Sequence, residues 1–201
     1  MALLSLFENN YEKTLMWVLI GVFLDSFDGL VARAFRATTE IGKQLDSLCD
    51  VISFGVVPGY FMYKYLSDFL SYELVPLSLL AFVVTLASIF RLARFNITPS
   101  SQLDFQGLPT PAFALFVIGI PFIPYEINPI IITVIVALLT VLMVSKIMLP
   151  SQKFVNGKPS NFFWIFAVVA IPVLLIFRSQ ALSLTVLTYA FFGMLCMRLR
   201  A

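Results

Sequence analysis

Long apolar segments separated by short polar connections fill this sequence of 201 residues. A helix needs about 20 apolar residues to cross a bilayer, and the sequence predicts seven such helices. They are Tyr11–Ala34, Lys43–Leu66, Leu74–Phe95, Pro109–Pro124, Pro129–Lys146, Asn161–Phe177 and Ala181–Arg198. Only 12% of the residues are charged, against about 25% in soluble domains, so lipid must cover most of the surface. We therefore predict an all-α protein, a polytopic integral membrane helical bundle of about seven transmembrane helices.

Basic residues are spread unevenly over the two sides of this predicted bundle. Ten of the thirteen Lys and Arg residues fall on the side of the Ala34–Gly42 connection, and the other three are Lys13, Lys64 and Arg178. Basic residues concentrate in cytoplasmic connections, so the Ala34–Gly42 side is predicted to face the cytoplasm from the cell membrane. The formal net charge of +2 is too small to indicate a nucleic-acid partner.

The segment Met1–Phe7 is apolar but too short to cross a membrane or to act as a signal peptide. It looks like the last turns of a further helix, an N-terminal stub, so we expect that the natural chain starts upstream or that this chain is shortened. The sequence predicts a single membrane domain over residues 1–201. Its core covers residues 8–147, and two additional C-terminal transmembrane helices follow within residues 161–198.

Four of the eleven acidic residues interrupt otherwise apolar helices: Asp25, Asp28, Asp46 and Asp50. An aspartate at the centre of a membrane helix costs about 2.5–3.5 kcal/mol, and four close together would repel one another. A positive partner must therefore compensate them. The sequence contains no histidine, so chemistry here must use carboxylates, lysines, hydroxyls or bound cations.

The spacing of these aspartates brings them to one seam between two helices. Each pair, separated by three or four residues, shares one helix face, and the short connection makes the two helices antiparallel neighbours. At about 1.5 Å per residue, Asp28 and Asp46 lie roughly 6–9 Å from the turn. Asp25 and Asp50 lie roughly 12–14 Å from it, so the carboxylates form two matched levels. Their eight oxygens predict a site for a hard cation, Mg²⁺ or Mn²⁺.

Small and basic residues accompany the aspartates. Gly29, Ala32 and Gly42 permit close helix packing, which is common in membranes, or the approach of a substrate to the cation. Both interpretations stay open from the residues alone. Arg33, one turn after Gly29, suits a diphosphate or the ordinary basic bias of a cytoplasmic helix end.

Together these residues form one pattern of eight matched positions without a gap: Asp25-x-x-Asp28-Gly29-x-x-Ala32-Arg33, eight residues, then Gly42-x-x-x-Asp46-x-x-x-Asp50. This pattern resembles the signature of the CDP-alcohol phosphatidyltransferase family. Further segments look like the phosphatidylserine synthase branch of that family in bacteria and archaea: Asp46–Gly59, Arg91–Asn96, Gly107–Ala112 and Ser145-Lys146.

The resemblance implies a helical homodimer whose active site opens to the cytoplasmic leaflet. It implies transfer of the phosphatidyl group of CDP-diacylglycerol to the hydroxyl of L-serine, with release of CMP. Asp25, Asp28 and Asp46 would hold the metal ion. Asp50 would also bind near that ion and would serve as the catalytic base that accepts the serine proton. The residues implied in CDP-diacylglycerol binding are Gly29, Ala32, Arg33 and Gly42.

A serine carboxylate needs a cationic partner, and the predicted cytoplasmic face offers Arg91, Arg94 and Lys146. The same residues equally suit substrate phosphates, membrane-lipid headgroups or the topology bias. Two other functions stay open. One is a sister enzyme that uses glycerol 3-phosphate or an inositol phosphate as acceptor, which would demand extra basic residues around the pocket. The other is a cation transporter. Two features argue against it, because the aspartates lie at one face of the bundle and no internal repeat is evident.

Overall fold

The computed structural model describes residues 1–34, 39–97, 105–145, 147–149, 154–155, 158–159, 183 and 185–188. Helices form its regular structure apart from four two-residue strands, which confirms the predicted all-α class. The predicted span Asn161–Phe177 lies outside the described residues, and Ala181–Arg198 is described only at residues 183 and 185–188, which are helical. The count of seven transmembrane helices therefore stays a prediction.

The helical elements follow one another along the chain. They are α1 (Ala2–Phe7), α2 (Tyr11–Ala34), α3 (Glu40–Asp50), a π-helical segment (Val51–Val56), α4 (Val57–Phe69), a 3₁₀ segment (Tyr72–Phe82), α5 (Val83–Ile97), α6 (Thr110–Gly119), a 3₁₀ turn (Ile120–Phe122) and α7 (Pro129–Val144). Within the described residues, two continuous helices are long and apolar enough to cross a membrane, Glu40–Phe69 and Leu74–Ile97. Two shorter apolar helices are Thr110–Phe122 and Pro129–Val144.

A tight turn joins α1 to α2. Asn9 has a φ of 59°, a left-handed conformation that asparagine tolerates better than most residues. The side chain of Asn10 accepts a hydrogen bond from the backbone N–H of Lys13 at 3.0 Å and so caps the start of α2. Leu6 is fully buried, and the Phe7 and Tyr60 rings lie 4.7 Å apart. The N-terminal stub is therefore a short helix packed against α2 and α4.

Helix α6 lies at the centre of the core. Seven of its ten residues are buried, and it contacts α2, α4, the π-helical segment and α7. Ser183 donates a hydrogen bond to the Phe116 carbonyl at 2.9 Å, which ties the helical piece near residue 185 to α6. Large apolar side chains such as Phe23, Leu86 and Leu138 point outward, as a surface in contact with lipid requires.

The strands form two short antiparallel pairs. β1 (Phe105–Gln106) pairs with β2 (Met148–Leu149), and β3 (Phe154–Val155) pairs with β4 (Lys158–Pro159). The β1–β2 pair joins the segment before α6 to the segment after α7. It therefore lies at the end of the bundle where α6 begins and α7 ends.

Candidate functional site

Two contacts fix the relative direction of the helices that carry the aspartates. The Tyr11 and Phe61 rings lie 5.9 Å apart, and a Cβ on Gly21 would lie 3.8 Å from two ring atoms of Phe54. The later residue of α2 contacts the earlier residue of the helix Glu40–Phe69. The two helices therefore run antiparallel. Asp25 lies one turn after Gly21, and Asp50 lies one turn before Phe54. Both aspartates therefore lie on the same side of this contact, toward the end where α2 finishes and α3 begins, called here the α2–α3 end.

The described aspartates differ in exposure. Asp25 and Asp50 are half-buried, whereas Asp46 is exposed, and each takes part in a hydrogen-bonding or electrostatic interaction. Within the described part of the chain, no three Asp, Glu, Cys or His side chains form a group that could hold a metal ion. The side chain of Asp28 lies outside that part. The four-aspartate metal site therefore stays a prediction.

The start of α3 explains one of the small residues. The Thr39 hydroxyl accepts a hydrogen bond from the backbone N–H of Gly42 at 3.0 Å, and Thr39 has the extended backbone of an N-cap residue. A Cβ on Gly42 would lie 3.0 Å from the same hydroxyl. Gly42 thus has a structural reason to be small. Gly29, Ala32 and Arg33 lie in the last turns of α2, where only the backbone is described.

Two of the three predicted basic residues, Arg91 and Arg94, lie in the last two turns of α5. Arg91 is 8% exposed, and its Nη1 donates to the Thr110 hydroxyl at 3.5 Å. Arg94 donates from Nη1 to the Val144 carbonyl at 2.8 Å, and its guanidinium lies 4.9 Å from the centre of the Phe90 ring. These contacts join α5 to the start of α6 and to the end of α7.

Lys146, the third basic residue of the prediction, lies outside the described residues.

Small residues let α5 approach the aspartate-bearing helix closely. The Gly55 carbonyl accepts a hydrogen bond from the Thr85 hydroxyl at 3.0 Å, and a Cβ on Gly55 would lie 3.0 Å from Cβ of Ser88. One turn later, a Cβ on Gly59 would collide with the Thr85 hydroxyl. The π-helical segment that contains Gly55 directly follows Asp50. This tight seam therefore places α5 next to the helix that carries Asp46 and Asp50.

Gly107 holds the loop before α6 against α7. Its φ is +69°, and its N–H donates to the Ile147 carbonyl at 2.8 Å. A Cβ here would lie 2.9 Å from the Leu142 carbonyl oxygen and would also overlap the Met143 carbonyl. The next residue, Leu108, is fully buried. The Gly107–Ala112 segment is therefore a packed element of the α2–α3 end.

Sequence reasoning missed the residues that hold α3 in place. Lys43 Nζ donates to the Asn96 carbonyl at 2.9 Å, and Asn96 Nδ2 donates to the Ser47 hydroxyl at 2.8 Å. A threonine directly before a helix start is a recognisable N-cap signal and would have identified Thr39. No sequence signal links Ser47 to Asn96, because 49 residues separate them.

A cavity of about 430 Å³ lies at the opposite end of the bundle. Its lining includes Tyr11, Lys64, Asp68 and Glu126. Fourteen residues of α2, or roughly 21 Å of helix, separate Tyr11 from Asp25. None of the site residues predicted from the sequence lines this cavity.

The family model described as CDP-alcohol phosphatidyltransferase matches residues 1–144. The chain belongs to the CDP-alcohol phosphatidyltransferase family. This CDP-alcohol phosphatidyltransferase has all four aspartates, Arg91 and Arg94 within the matched region, whereas Lys146 lies two residues beyond it. Family membership and the two long apolar helices make it a membrane protein.

Curated relatives of this CDP-alcohol phosphatidyltransferase carry related names. It is 33% identical over 153 residues to the CDP-diacylglycerol–serine O-phosphatidyltransferase of Bacillus subtilis, which covers 76% of this chain and 83% of the relative. It is 34% identical over 195 residues to the protein of the same name from Methanocaldococcus jannaschii, and this match covers 96% of this chain and 86% of the relative. It is also 34% identical over 117 residues to the archaetidylserine synthase of Methanothermobacter thermautotrophicus, and this match covers 57% of this chain and 48% of the relative.

Proposed function

We propose that this chain transfers the phosphatidyl group of CDP-diacylglycerol to the hydroxyl of L-serine, forming phosphatidylserine and CMP. The observation that carries the proposal is the packing of Gly21 against Phe54, which leaves Asp25 and Asp50 on one side of an antiparallel helix pair. Serine as the acceptor is supported by the names of the relatives from Bacillus subtilis and Methanocaldococcus jannaschii.

Four aspartates would hold a divalent cation, Mg²⁺ or Mn²⁺: Asp25, Asp28, Asp46 and Asp50. The donor set fits such an ion because it consists of carboxylates alone, the ligands that hard cations prefer. When bound, the ion supplies positive charge beside the diphosphate. The half-buried positions of Asp25 and Asp50 are where ionised carboxylates most need such compensation.

Asp50 acts as the general base. The bond between the serine oxygen and the phosphatidyl phosphorus forms while the serine hydroxyl proton passes to the Asp50 carboxylate. The bond between that phosphorus and the bridging diphosphate oxygen breaks, and CMP leaves with the electron pair. A hydroxyl is a weak nucleophile at neutral pH, and a positioned base accelerates its reaction by about 10²–10⁴-fold.

The remaining site residues bind the two substrates. Gly29, Ala32 and Gly42 frame the cytidine, and Arg33 lies near the phosphates. The serine carboxylate is bound by one or more of the basic residues Arg91, Arg94 and Lys146. The contacts of the two arginines with the ends of α6 and α7 hold their guanidinium groups at the α2–α3 end, close to the aspartate-bearing helix.

The proposal also includes the arrangement in the membrane. The chain forms a single domain of about seven transmembrane helices in the cell membrane, associates as a homodimer, and contacts membrane lipids. Its active site faces the cytoplasm, because the basic connection between α2 and α3 lies at the same end as the aspartates.

CMP release tests the activity directly. Purified protein receives CDP-diacylglycerol and Mn²⁺ or Mg²⁺, with serine, glycerol 3-phosphate or inositol phosphate in separate reactions. We expect CMP release in the reaction with serine and in neither of the other two. Chelation of the metal should abolish that release. Release with glycerol 3-phosphate instead would identify a sister enzyme, and no release with any acceptor would defeat the proposal.

Asp50→Asn tests the base. Turnover should fall by about 10²–10⁴-fold, whereas binding of CDP-diacylglycerol should remain. Asp68→Asn is the matched control, because Asp68 is an exposed carboxylate on the same continuous helix and lies near its far end. Equal losses of activity in the two variants, or failure of Asp50→Asn to fold, would contradict the assigned role.

A further inference from the structure

The cavity of about 430 Å³ at the end of the bundle opposite the aspartates is called here the Tyr11 cavity. Its inner lining is buried, because Phe61 is 4% exposed and Ile120 is 6% exposed. Its outer lining is open to the surroundings, since Tyr125 is 79% exposed and Glu126 is also exposed. A space of this size holds a small organic molecule. The change from an apolar interior to a charged rim suits a ligand that has both an apolar part and a charged part.

Aromatic rings form one wall of the Tyr11 cavity. The Tyr11 and Phe61 rings lie 5.9 Å apart, and the Phe61 and Tyr65 rings stack at 6.1 Å. All three side chains line the cavity. The faces of aromatic rings carry negative charge density and attract organic cations. This wall therefore favours a cationic ligand over an anionic one.

The charged lining of the cavity is negative on balance. Asp68 and Glu126 supply two carboxylates, whereas Lys64 supplies one ammonium group. Nζ of Lys64 donates to two neutral oxygens, the side-chain oxygen of Asn9 and the Leu6 carbonyl at 3.5 Å. These bonds hold the ammonium group toward the turn between α1 and α2. Carboxylates that outnumber the nearby cations attract positive charge, so the lining favours a cation as the aromatic wall does.

The chemistry of the lining distinguishes between two kinds of cation. A hard divalent metal ion needs several oxygen ligands that converge on one point. Within the described residues, no three Asp, Glu, Cys or His side chains form such a group. Aromatic rings also offer no oxygen ligands from their faces, but they do attract alkylammonium groups. The lining therefore fits an organic ammonium ion better than a metal ion.

We propose that the Tyr11 cavity binds an organic ammonium group, with Asp68 and Glu126 as its counter-charges and the aromatic wall beside it. The ammonium group belongs either to the head group of a membrane lipid or to a free amine, and both share this chemistry. The inference does not rest on the proposed transfer reaction, because none of the site residues predicted from the sequence lines the cavity.

Amide hydrogen exchange of the full chain in detergent gives a readout at the cavity itself. The protein is titrated separately with short-chain phosphatidylethanolamine, which carries an ammonium group, with short-chain phosphatidylglycerol, which does not, and with ethanolamine. Phosphatidylethanolamine should slow exchange in residues 123–128 of the connection between α6 and α7, and phosphatidylglycerol should not. Leu70 and Ser71 lie in a neighbouring connection that does not line the cavity, so their exchange should stay unchanged.

The ethanolamine titration identifies the source of the ammonium group. Slower exchange in residues 123–128 with ethanolamine at the same concentrations would assign the site to a free amine. Slower exchange with phosphatidylethanolamine alone would assign it to a lipid head group. If neither compound slows exchange there, or if phosphatidylglycerol slows it equally, the inference is overturned.

Substitutions of Glu126 test the charge of the rim. Glu126→Gln should raise the phosphatidylethanolamine or ethanolamine concentration needed for half-maximal protection by about two- to fivefold, and Glu126→Lys should raise it further. Glu12→Gln is the matched control, because Glu12 is an exposed carboxylate at the same end that does not line the cavity. Since both glutamates are exposed, their variants should keep the wild-type Tm. Wild-type protection in Glu126→Lys, or equal losses in Glu126→Gln and Glu12→Gln, would contradict the assigned role of the carboxylates.

Discussion

Replacing Gly107 with alanine should destabilise the protein through two separate effects. The left-handed conformation at a φ of +69° costs an alanine about 1–2 kcal/mol. The new Cβ would also lie 2.9 Å from the Leu142 carbonyl oxygen and would overlap the Met143 carbonyl. These obstacles are backbone atoms at the end of α7, which cannot rotate away as a side chain can, and such overpacking costs about 1–3 kcal/mol. We therefore expect a loss of about 2–5 kcal/mol.

Thermal unfolding in detergent measures this loss. For a chain of this size, each 1 kcal/mol shifts the Tm by about 2–4 °C, so the Tm should fall by at least about 4 °C. Gly21→Ala is the matched control, because its Cβ would meet Phe54 at an ordinary contact distance of 3.8 Å. The better helix propensity of alanine should stabilise that variant by up to about 1 kcal/mol. If the two variants had the same Tm, the reasoning from backbone conformation and overlap would be refuted.

Three further substitutions test contacts around the site. Thr39→Ala should cost about 1 kcal/mol and speed amide hydrogen exchange in the first turn of α3, whereas Thr39→Ser should preserve the wild-type rate. Thr85→Val removes a hydroxyl that bonds to another helix and should lower stability by about 1 kcal/mol. Thr133→Val, which removes a hydroxyl bonded within its own helix, should have a smaller effect on the Tm. Arg94→Lys loses a planar guanidinium that both donates to a carbonyl and stacks on a ring, so unfolding should require about 1 kcal/mol less. An unchanged Tm would show that the planar guanidinium contributes no more to stability than an ammonium group does.

The bounds of a helix were predictable where the hydropathy pattern and the polar residues at its ends indicate the same limits. The predicted span Tyr11–Ala34 has the bounds of α2, because polar residues mark its start and a basic stretch its end. The predicted span Lys43–Leu66 is three residues short at each end of the helix Glu40–Phe69. Its polar first turn, held by Thr39, carries no hydropathy signal. The β1–β2 pair was not predictable, because two-residue strands are specified by distant partners.

The location of three aspartates at the α2–α3 end was predictable from the sequence, whereas the contacts that hold the surrounding helices were not. Asp25, Asp46 and Asp50 stand out because charge in apolar helices is costly, and helix geometry alone brings them to one end. The bonds from Asn96 to α3 depend on how α5 crosses that helix, and this crossing depends on the fit of Gly55 and Gly59 against Thr85 and Ser88. Such a fit is a property of the packed structure, and hydrophobic periodicity does not encode it.

The π-helical segment Val51–Val56 has a consequence for deletions in this helix. A π-helical turn accommodates one residue more than an α-helical turn. Deletion of one residue within Val51–Val56 would let the turn become α-helical while the helix faces before and after it kept their directions. A single deletion within Ser47–Cys49 would instead turn Asp46 by about 100° relative to Asp50 and to the glycines that pack on α5. The loss of one residue is therefore tolerable directly after Asp50 and damaging between Asp46 and Asp50.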